Sequence, residues 1–320
     1  MQTITLDNGI DKALLPRLTF GAGELNDMAK KEEYFALLDD FYFQFGGRCF
    51  DTARSYGNGM SEKILGLWLR DRKIDRSAVF ISTKGGFPPA DDRHSCRLDR
   101  ESLTSDINAS LAASGLEYFD LYLLHRDHPS VSAEEIMHTL SEFVIQKKTR
   151  FIGVSNWKTD RIDAANRIAT EQRLIPLSVS QVNFSLAQTT PALLEDDTLV
   201  AMNEQEYRWY REHRFAVMAF SAQAKGFFAK LAAGDSPTPK IRSRFLTEEN
   251  LRRLERVKQL SGELRVSPGA LALAYLTCNP LDVSAVFRCR TRQQLADTMS
   301  AQNIALTPEQ INWLTDGKTY

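Results

Sequence analysis

The sequence is poor in the features that mark membrane proteins and nucleic-acid-binding proteins. Among its 320 residues, no apolar run approaches the roughly 18 residues that a membrane-spanning helix needs. The 40 lysines and arginines balance 41 aspartates and glutamates, so the net charge of -1 provides no overall field for nucleic acid or for an anionic membrane. We therefore expect neither nucleic acid nor a membrane among the partners.

Cysteine is scarce as well. The four cysteines, Cys49, Cys96, Cys278 and Cys289, form no CxxC pair and have no histidine at metal-ligand spacing, so we expect reduced thiols and no metal site. The opening stretch MQTITLDNGIDKALLPRL is polar and lacks the apolar segment of a signal peptide. These features favour a cytoplasmic protein.

The common glycine-rich phosphate motifs are also missing. The stretch GAGELN (residues 21–26) lacks the third glycine of GxGxxG, and GxxxxGK[ST] does not occur. An open doubly wound sheet, the alternative fold, needs such a motif after its first strand. A nucleotide would therefore have to bind in another way.

What the sequence does contain is a regular alternation of short β-branched or aromatic runs with longer helical patterns. With 43% hydrophobic residues the chain can bury a substantial core, and α/β barrels commonly reach this length as one domain. We therefore predict a single (β/α)₈ TIM barrel over residues 1–320. Its predicted strands are 18–21, 48–51, 79–84, 119–125, 151–155, 179–183, 215–220 and 283–287, and the predicted helices between them are 62–69, 102–113, 133–145, 159–169, 197–211, 248–264 and 268–276.

Three further segments stand outside this alternation. Residues 1–15, with Asn8-Gly9 between short alternating runs, predict an N-terminal hairpin that plugs the barrel floor. Residues 224–245 predict a long loop between the seventh and eighth strands, and loops of this length in compact domains are usually functional or disordered. Residues 88–97 predict a polar loop after the third strand.

Residues that can carry chemistry fall at the predicted strand ends, where the loops of a (β/α)₈ barrel meet on one face. Asp51, Lys84 and His125 end the second, third and fourth strands, and Tyr56 follows shortly after Asp51. A phenol titrates near pH ~10 in water, and it becomes a useful acid when a nearby cation favours the phenolate. Lys84 is such a cation, Asp51 could hold its ammonium, and His125 could polarise an oxygen beside Tyr56. We predict that these four side chains form one acid-base unit.

The residues around this unit resemble the aldo-keto reductases. The resemblance rests on DTARSYG (51–57), SEKILG (61–66), FISTK (80–84) and LEYFDLYLLH (116–125), and it extends in order from Arg17 to Leu295. It implies an NADPH-dependent oxidoreductase that reduces an aldehyde or ketone to an alcohol by hydride transfer, with Tyr56 as general acid. The implied partner is a small carbonyl substrate, and we expect a monomer or weak oligomer.

The same resemblance implies contacts with the cofactor after the later strands. Ser155, Asn156 and Gln181 would hydrogen-bond the nicotinamide carboxamide, and Phe220 would stack on the ring. A basic cluster at the start of a helix would hold the adenosine 2′-phosphate, to which guanidinium groups are geometrically suited, and this favours NADP over NAD. The predicted cofactor contacts are Gly21, Ala22, Ser155, Asn156, Gln181, Phe220, Ser221, Gln223, Arg288, Arg290, Thr291, Gln294 and Thr298.

The sequence departs from the family pattern at several of these positions. Phe287-Arg288 replaces the common Pro-Gly, Ala222-Gln223 replaces Pro-Leu, and Thr298 stands where an asparagine that contacts adenine is frequent. The pocket residues proposed from their loops are Phe87, His94, Arg126 and Trp157, although Arg126 could instead pair with Asp127. Two other functions stay open: a regulatory or redox-sensing barrel subunit that binds NADP with little turnover, and a barrel enzyme that uses Lys84 as a Schiff base.

Overall fold

The central feature of the fold is a closed barrel of eight parallel strands, preceded by a two-stranded antiparallel hairpin. A computed structural model describes residues 2–89 and 91–318. Outside the described residues lie Met1 of the predicted hairpin, Ala90 of the predicted polar loop, and Thr319 and Tyr320 at the end of the predicted domain. The hairpin strands are β1 (Thr3–Asp7) and β2 (Lys12–Pro16), and the barrel strands are β3 (Leu18–Gly21), β4 (Cys49–Asp51), β5 (Phe80–Gly85), β6 (Phe119–Leu124), β7 (Thr149–Ser155), β8 (Val179–Asn183), β9 (Ala216–Phe220) and β10 (Val283–Phe287). The predicted TIM barrel is confirmed.

Helices connect the barrel strands and cover the outside of the barrel. They are α1 (Lys31–Asp39), α2 (Met60–Asp71), α3 (Arg100–Ser114), α4 (Ala133–Ile145), α5 (Thr159–Gln172), α6 (Pro191–Leu194), α7 (Glu204–His213), α8 (Phe227–Ala232), α9 (Pro239–Phe245), α10 (Glu248–Leu264), α11 (Pro268–Thr277), α12 (Arg292–Ser300) and α13 (Pro308–Asp316). Within the described part of the chain, none of them is long and apolar enough to span a membrane.

The hairpin closes the amino-terminal end of the barrel. Thr3 lies opposite Pro16 and Asp7 lies opposite Lys12. The buried side chains of the hairpin pack with the interior side chains of the barrel in one hydrophobic cluster, which includes Ile4, Leu6, Leu15, Phe80, Leu121 and Phe151. The predicted hairpin is confirmed, and the open end of the barrel is the one at which the strands finish.

The predicted helix over residues 197–211 is wrong at its start, because α7 begins only at Glu204. The side chain of Asn203 accepts a hydrogen bond from the backbone N–H of Glu206 and so caps the helix there. Just before it, Ala201 forms an isolated bridge with β8: the N–H of Asn183 donates to the carbonyl of Val200, and the N–H of Met202 donates to the carbonyl of Asn183. Tertiary pairing therefore overrides the local helical pattern.

The predicted loop over residues 224–245 is largely helical. It contains α8 and α9, and the latter is capped by Thr238, whose hydroxyl accepts from the N–H of Ile241. The reason is burial: Phe227, Ile241 and Phe245 are almost fully enclosed in the main hydrophobic core. A segment that carries this much apolar surface gains stability by folding onto the barrel.

Candidate active site

The residues predicted to carry chemistry lie at the carboxyl end of the barrel. The strand register puts them at similar heights, since Asp51 lies opposite both Gly21 and Ser82, and Ser155 lies opposite Gln181. Asp51 ends β4, and Tyr56 lies in the loop that follows. Lys84 lies next to the end of β5, and His125 comes directly after β6. The structure therefore brings together four predicted residues that are spread over 75 positions of the sequence, from 51 to 125.

Asp51 and Lys84 form a buried ion pair. The Lys84 Nζ donates to Asp51 Oδ2 over 2.7 Å, and their side chains are 3% and 0% exposed. The Lys84 Nζ also donates to the carbonyl of Thr52 over 2.8 Å. The other carboxylate oxygen, Asp51 Oδ1, accepts from Ser82 Oγ over 2.7 Å and from Gln181 Nε2 over 3.1 Å. Both charges are thus compensated and fixed in orientation.

Tyr56 places its hydroxyl against the ammonium of Lys84. The Lys84 Nζ lies 3.5 Å from the Tyr56 hydroxyl oxygen and 5.0 Å from the centre of the ring. The loop that carries Tyr56 is tied to β5, since the N–H of Arg54 donates to the carbonyl of Lys84. Gly57 and Gly59 adopt positive φ values of 57° and 86°, which glycine tolerates, and they turn the chain into α2. The phenol is half-buried at the open end of the barrel.

His125 follows β6 and faces the ring of Tyr56. The two ring centres are 5.8 Å apart, and the planes are nearly perpendicular. The backbone N–H of His125 donates to the carbonyl of Gly85, and its Nδ1 lies 3.3 Å from the Ser55 hydroxyl. Burial, followed by the positive charges of Lys84 and Arg126, lowers the pKa of His125 well below its usual value. The imidazole is therefore neutral at physiological pH.

Ser155, Asn156 and Gln181 form a buried polar group beside His125. The Ser155 hydroxyl donates to the carbonyl of Gln181 over 2.8 Å, and Asn156 Nδ2 donates to Ser155 Oγ and to the carbonyl of His125. Asn156 has a positive φ of 60°, which asparagine adopts more readily than most residues. Together with the contact from Gln181 to Asp51, these bonds connect the predicted amide-binding residues directly to the predicted acid-base unit.

Phe220 ends β9 and Ser221 follows it, and both lie partly exposed at the same end of the barrel. Gln223 follows them and joins this loop to the last strand. Its Nε2 donates to Thr298 Oγ1 over 3.0 Å, and its Oε1 accepts from the backbone N–H of Arg288 over 3.2 Å. Thr298 is buried, so it positions Gln223 rather than facing solvent.

The predicted phosphate cluster surrounds the start of α12. Thr291 caps this helix by accepting from the N–H of Gln294, and Gln294 Oε1 accepts from the N–H of Arg290 over 2.8 Å. Arg288 and Arg290 are exposed and converge on one carboxylate, that of Glu24. Arg292 points elsewhere and pairs with Asp40.

The predicted pocket residues divide into two kinds. Phe87 and Arg126 do lie at the site: the Phe87 and His125 ring centres are 4.6 Å apart, and the Arg126 guanidinium lies 5.1 Å from the Phe87 ring centre. Trp157 is instead fully buried in the core behind this surface. The side chain of His94 is 63% exposed and points to Asp197.

The suggested ion pair between Arg126 and Asp127 is wrong. Asp127 Oδ1 accepts from Arg161 Nε over 2.8 Å, because α5 brings that arginine beside it. Arg126 turns the other way and donates from Nε to Thr198 Oγ1 over 3.0 Å and from Nη1 to its neighbour's carbonyl, that of His125.

Four residues of the site were not among the predicted contacts. Ser82 could have been found, because it lies two positions before Lys84 on the same face of β5. Glu24 could also have been found, since it follows Gly21 and Gly23 at the end of the first barrel strand. No sequence pattern indicates Ser55 or Thr52. Ser55 contributes a hydroxyl from a loop, and Thr52 contributes only its backbone carbonyl.

The sequence matches a family model and several curated proteins. The sequence model of the aldo/keto reductase family matches residues 17–316. The "Probable aryl-alcohol dehydrogenase AAD4" of Saccharomyces cerevisiae is 28% identical over 309 residues, which cover 89% of this chain and 87% of that protein. The "Probable voltage-gated potassium channel subunit beta" of Oryza sativa subsp. japonica is 27% identical over 283 residues, which cover 83% of this chain and 82% of that protein.

A solved structure shares the fold. It is the aldo-keto reductase from Klebsiella pneumoniae in complex with NADPH, which superposes with a TM-score of 0.72 at 20% sequence identity and covers 98% of this chain and 94% of its own. At this identity the likeness shows the architecture alone. The match of the family sequence model over nearly the whole chain shows more: the chain belongs to the aldo/keto reductase family.

Proposed function

We propose that this protein is an NADPH-dependent oxidoreductase that reduces an aldehyde or ketone to an alcohol, with residues 1–320 acting as one catalytic domain. The observation that carries the proposal is the position of Lys84. Its Nζ is bonded to Asp51 over 2.7 Å and lies 3.5 Å from the Tyr56 hydroxyl. A buried cation held against a phenol favours the phenolate, which is the product of proton donation.

Tyr56 is the proposed proton donor. As negative charge develops on the carbonyl oxygen of the substrate, the Tyr56 hydroxyl gives up its proton to that oxygen, and the ammonium of Lys84 stabilises the phenolate that remains. Asp51 keeps the ammonium in place, and it can do so because Ser82 and Gln181 hold its second oxygen. In the direction of oxidation, the phenolate of Tyr56 would accept the proton from the alcohol.

His125 is proposed to orient the substrate oxygen. Because the imidazole is neutral, one of its nitrogens carries a proton and the other does not. If the hydroxyl of Ser55 donates to Nδ1, the proton is on Nε2, which can then donate to the carbonyl oxygen beside Tyr56. A neutral donor polarises this oxygen without competing with Tyr56 as the acid.

The residues present fit a nicotinamide dinucleotide. A Cβ on Gly23 would lie 3.5 Å from both the Tyr56 ring and the Arg288 guanidinium, so the missing side chain leaves space beside the proposed acid. Arg288 and Arg290 offer guanidinium groups to phosphate next to the first turn of α12, where backbone N–H groups also favour anions. Ser155, Asn156, Gln181 and the ring of Phe220 would hold the nicotinamide. When bound, the reduced cofactor supplies the hydride.

The test is a steady-state assay of NADPH oxidation with a panel of aldehydes and ketones. We expect turnover of at least one class, with loss of turnover in Tyr56→Phe. If the wild type binds NADPH but reduces no member of a broad panel, the oxidoreductase proposal is wrong.

A second candidate is favoured by one comparison, the similarity to the potassium channel subunit beta of rice. On that reading the barrel binds NADP and serves as a regulatory or redox-sensing subunit with little turnover. Tight NADPH binding, negligible turnover and a stable complex with a partner protein would together support it. The Schiff-base alternative is weaker, because the Lys84 ammonium is fully buried and engaged by Asp51 and Thr52.

A further inference from the structure

The side chain of Arg288 lies along the turn that follows β3. A Cβ on Gly21 would lie 3.3 Å from Arg288 Cγ, and one on Gly23 would lie 3.5 Å from Arg288 Cζ. The side chain therefore runs beside this glycine-containing turn toward Glu24. It connects the loop after the last barrel strand to the loop after the first.

Glu24 bridges the two arginines at the end of this path. Its Oε1 lies 3.3 Å from Arg288 Nη1, and its Oε2 lies 3.4 Å from Arg290 Nη2. Each carboxylate oxygen thus faces one guanidinium group. A phosphate group would be expected to meet two such groups in a similar way, through separate oxygens and charge-assisted hydrogen bonds.

We propose that Glu24 is an internal anion that competes with a cofactor phosphate for Arg288 and Arg290. This inference rests on the proposed function, since it assumes that these arginines bind the dinucleotide. On this account the phosphate binds only after the carboxylate of Glu24 has moved away. Glu24 therefore weakens cofactor binding and helps to set the preference between the two nicotinamide cofactors.

A phosphate could readily displace Glu24 from the two arginines. The side chains of Glu24, Arg288 and Arg290 are 39%, 56% and 77% exposed, and exposed ion pairs contribute little to stability because solvent and salt screen them. The backbone at the two arginines would keep its position after Glu24 leaves, because their N–H groups are held by other side chains. Gln223 Oε1 accepts from Arg288, and Gln294 Oε1 accepts from Arg290.

Two other positive side chains lie near Arg288 and Arg290, and Glu24 pairs with neither of them. Arg292 is occupied by Asp40, whose side chain is 11% exposed, so it is not part of the pair of arginines that Glu24 bridges. Lys225 is another positive charge near Arg288. Burial lowers the pKa of Lys225, and the positive charges around it, which include Arg288, lower it further. An additional anion would therefore find an excess of positive charge here once Glu24 is neutralised.

The experiment measures the dissociation constants of NADPH and NADH by fluorescence titration for the wild type, Glu24→Gln and Glu24→Ala. We expect both variants to bind NADPH about 3- to 10-fold more tightly, and we expect added salt to reduce the gain. If only NADPH gains, Glu24 competes with the 2′-phosphate. If NADH gains equally, it competes with the pyrophosphate that both cofactors share.

The matched control is Glu248→Gln. It removes an equally charged side chain that pairs with Arg252 on α10 and not with the arginines that Glu24 bridges, so it should leave both constants unchanged. Unchanged or weaker NADPH binding in both Glu24 variants would overturn the inference while leaving the proposed function intact. Failure of the wild type to bind either cofactor would overturn the proposed function and this inference with it.

Discussion

A Cβ atom on Gly85 would overlap the hydroxyl oxygen of Tyr122. Gly85 follows Lys84 at the end of β5, and its carbonyl accepts a hydrogen bond from the N–H of His125 over 2.9 Å. Tyr122 is fully buried, and its hydroxyl has no hydrogen-bond partner among the residues that the structure describes. The packing of Tyr122 therefore requires glycine at position 85, which follows Lys84 and is hydrogen-bonded to His125.

We expect Gly85→Ala to destabilise the protein by about 1 to 3 kcal/mol, because the added methyl overpacks the site. Turnover should fall as well, since Lys84 and His125 are both linked to this residue. Tyr122→Phe removes the overlapped atom and an unpaired buried hydroxyl, so it should be neutral or stabilising alone and should restore part of the loss in the double variant. Urea unfolding of the three variants measures these effects. Additive losses in the double variant would show that the two residues do not conflict.

Tyr56→Phe should reduce carbonyl turnover by roughly 100-fold or more while leaving the dissociation constant of NADPH nearly unchanged. The reason is that proton transfer takes place in the transition state and contributes little to cofactor binding. Tyr118→Phe, which removes a phenol at the opposite end of the barrel, is the control and should retain full activity. A Tyr56→Phe enzyme with the kcat of the wild type would exclude Tyr56 as the acid.

Lys84→Met and Asp51→Asn should each destabilise the protein by about 3 to 5 kcal/mol, because each leaves one buried charge without its partner. The double variant should be less destabilised than the sum of the two, since it contains no unpaired charge. Thermal or urea unfolding of all four proteins gives the coupling energy. We also expect turnover to be lost in Lys84→Met and reduced less severely in Asp51→Asn. A coupling energy near zero would contradict the buried pair.

His125 predicts a loss of stability in acid. Its pKa in the folded protein is well below the value of about 6.5 that an unfolded histidine has. Above that value neither state binds the proton, so the full stability is present; as the pH falls below it, the unfolded state binds the proton more readily and stability decreases. The contribution of His125 to the melting temperature should therefore be constant above about pH 7 and should decrease from there toward about pH 5, and this decrease should be absent in His125→Asn, which cannot titrate. Parallel curves for the two proteins would argue against this role of His125.

The strands and the positions of the proposed catalytic residues could be predicted because both depend on local sequence. The runs at 179–183 and 283–287 coincide with β8 and β10, and Asp51 and Lys84 lie at or next to the ends of their strands as expected. The topology of a barrel brings the carboxyl ends of its strands together, so the proximity of these residues can be predicted before the packing of their side chains is known. The roles of these residues in catalysis stay predictions.

The features that could not be predicted depend on contacts between distant parts of the chain. The start of α7 is fixed by pairing between Asn183 and Val200, and the partner of Asp127 is supplied by α5. The contact between Glu24 and Arg288 joins residues 264 positions apart. Periodicity describes only near neighbours, so it cannot show which charged side chains of different loops will meet.

The closing seam of the barrel has a consequence for synthesis of the chain. β10 pairs with β9 on one side and with β3 on the other, so both of those strands have an unpaired edge until residues 283–287 have been made. Unpaired edges of parallel sheets are templates for association with other chains, and contacts this distant in sequence form slowly. A nascent chain that has not reached β10 therefore carries all four proposed catalytic side chains on an open sheet. Premature termination before Val283 should yield aggregation-prone, inactive protein, although Asp51, Tyr56, Lys84 and His125 would all be present.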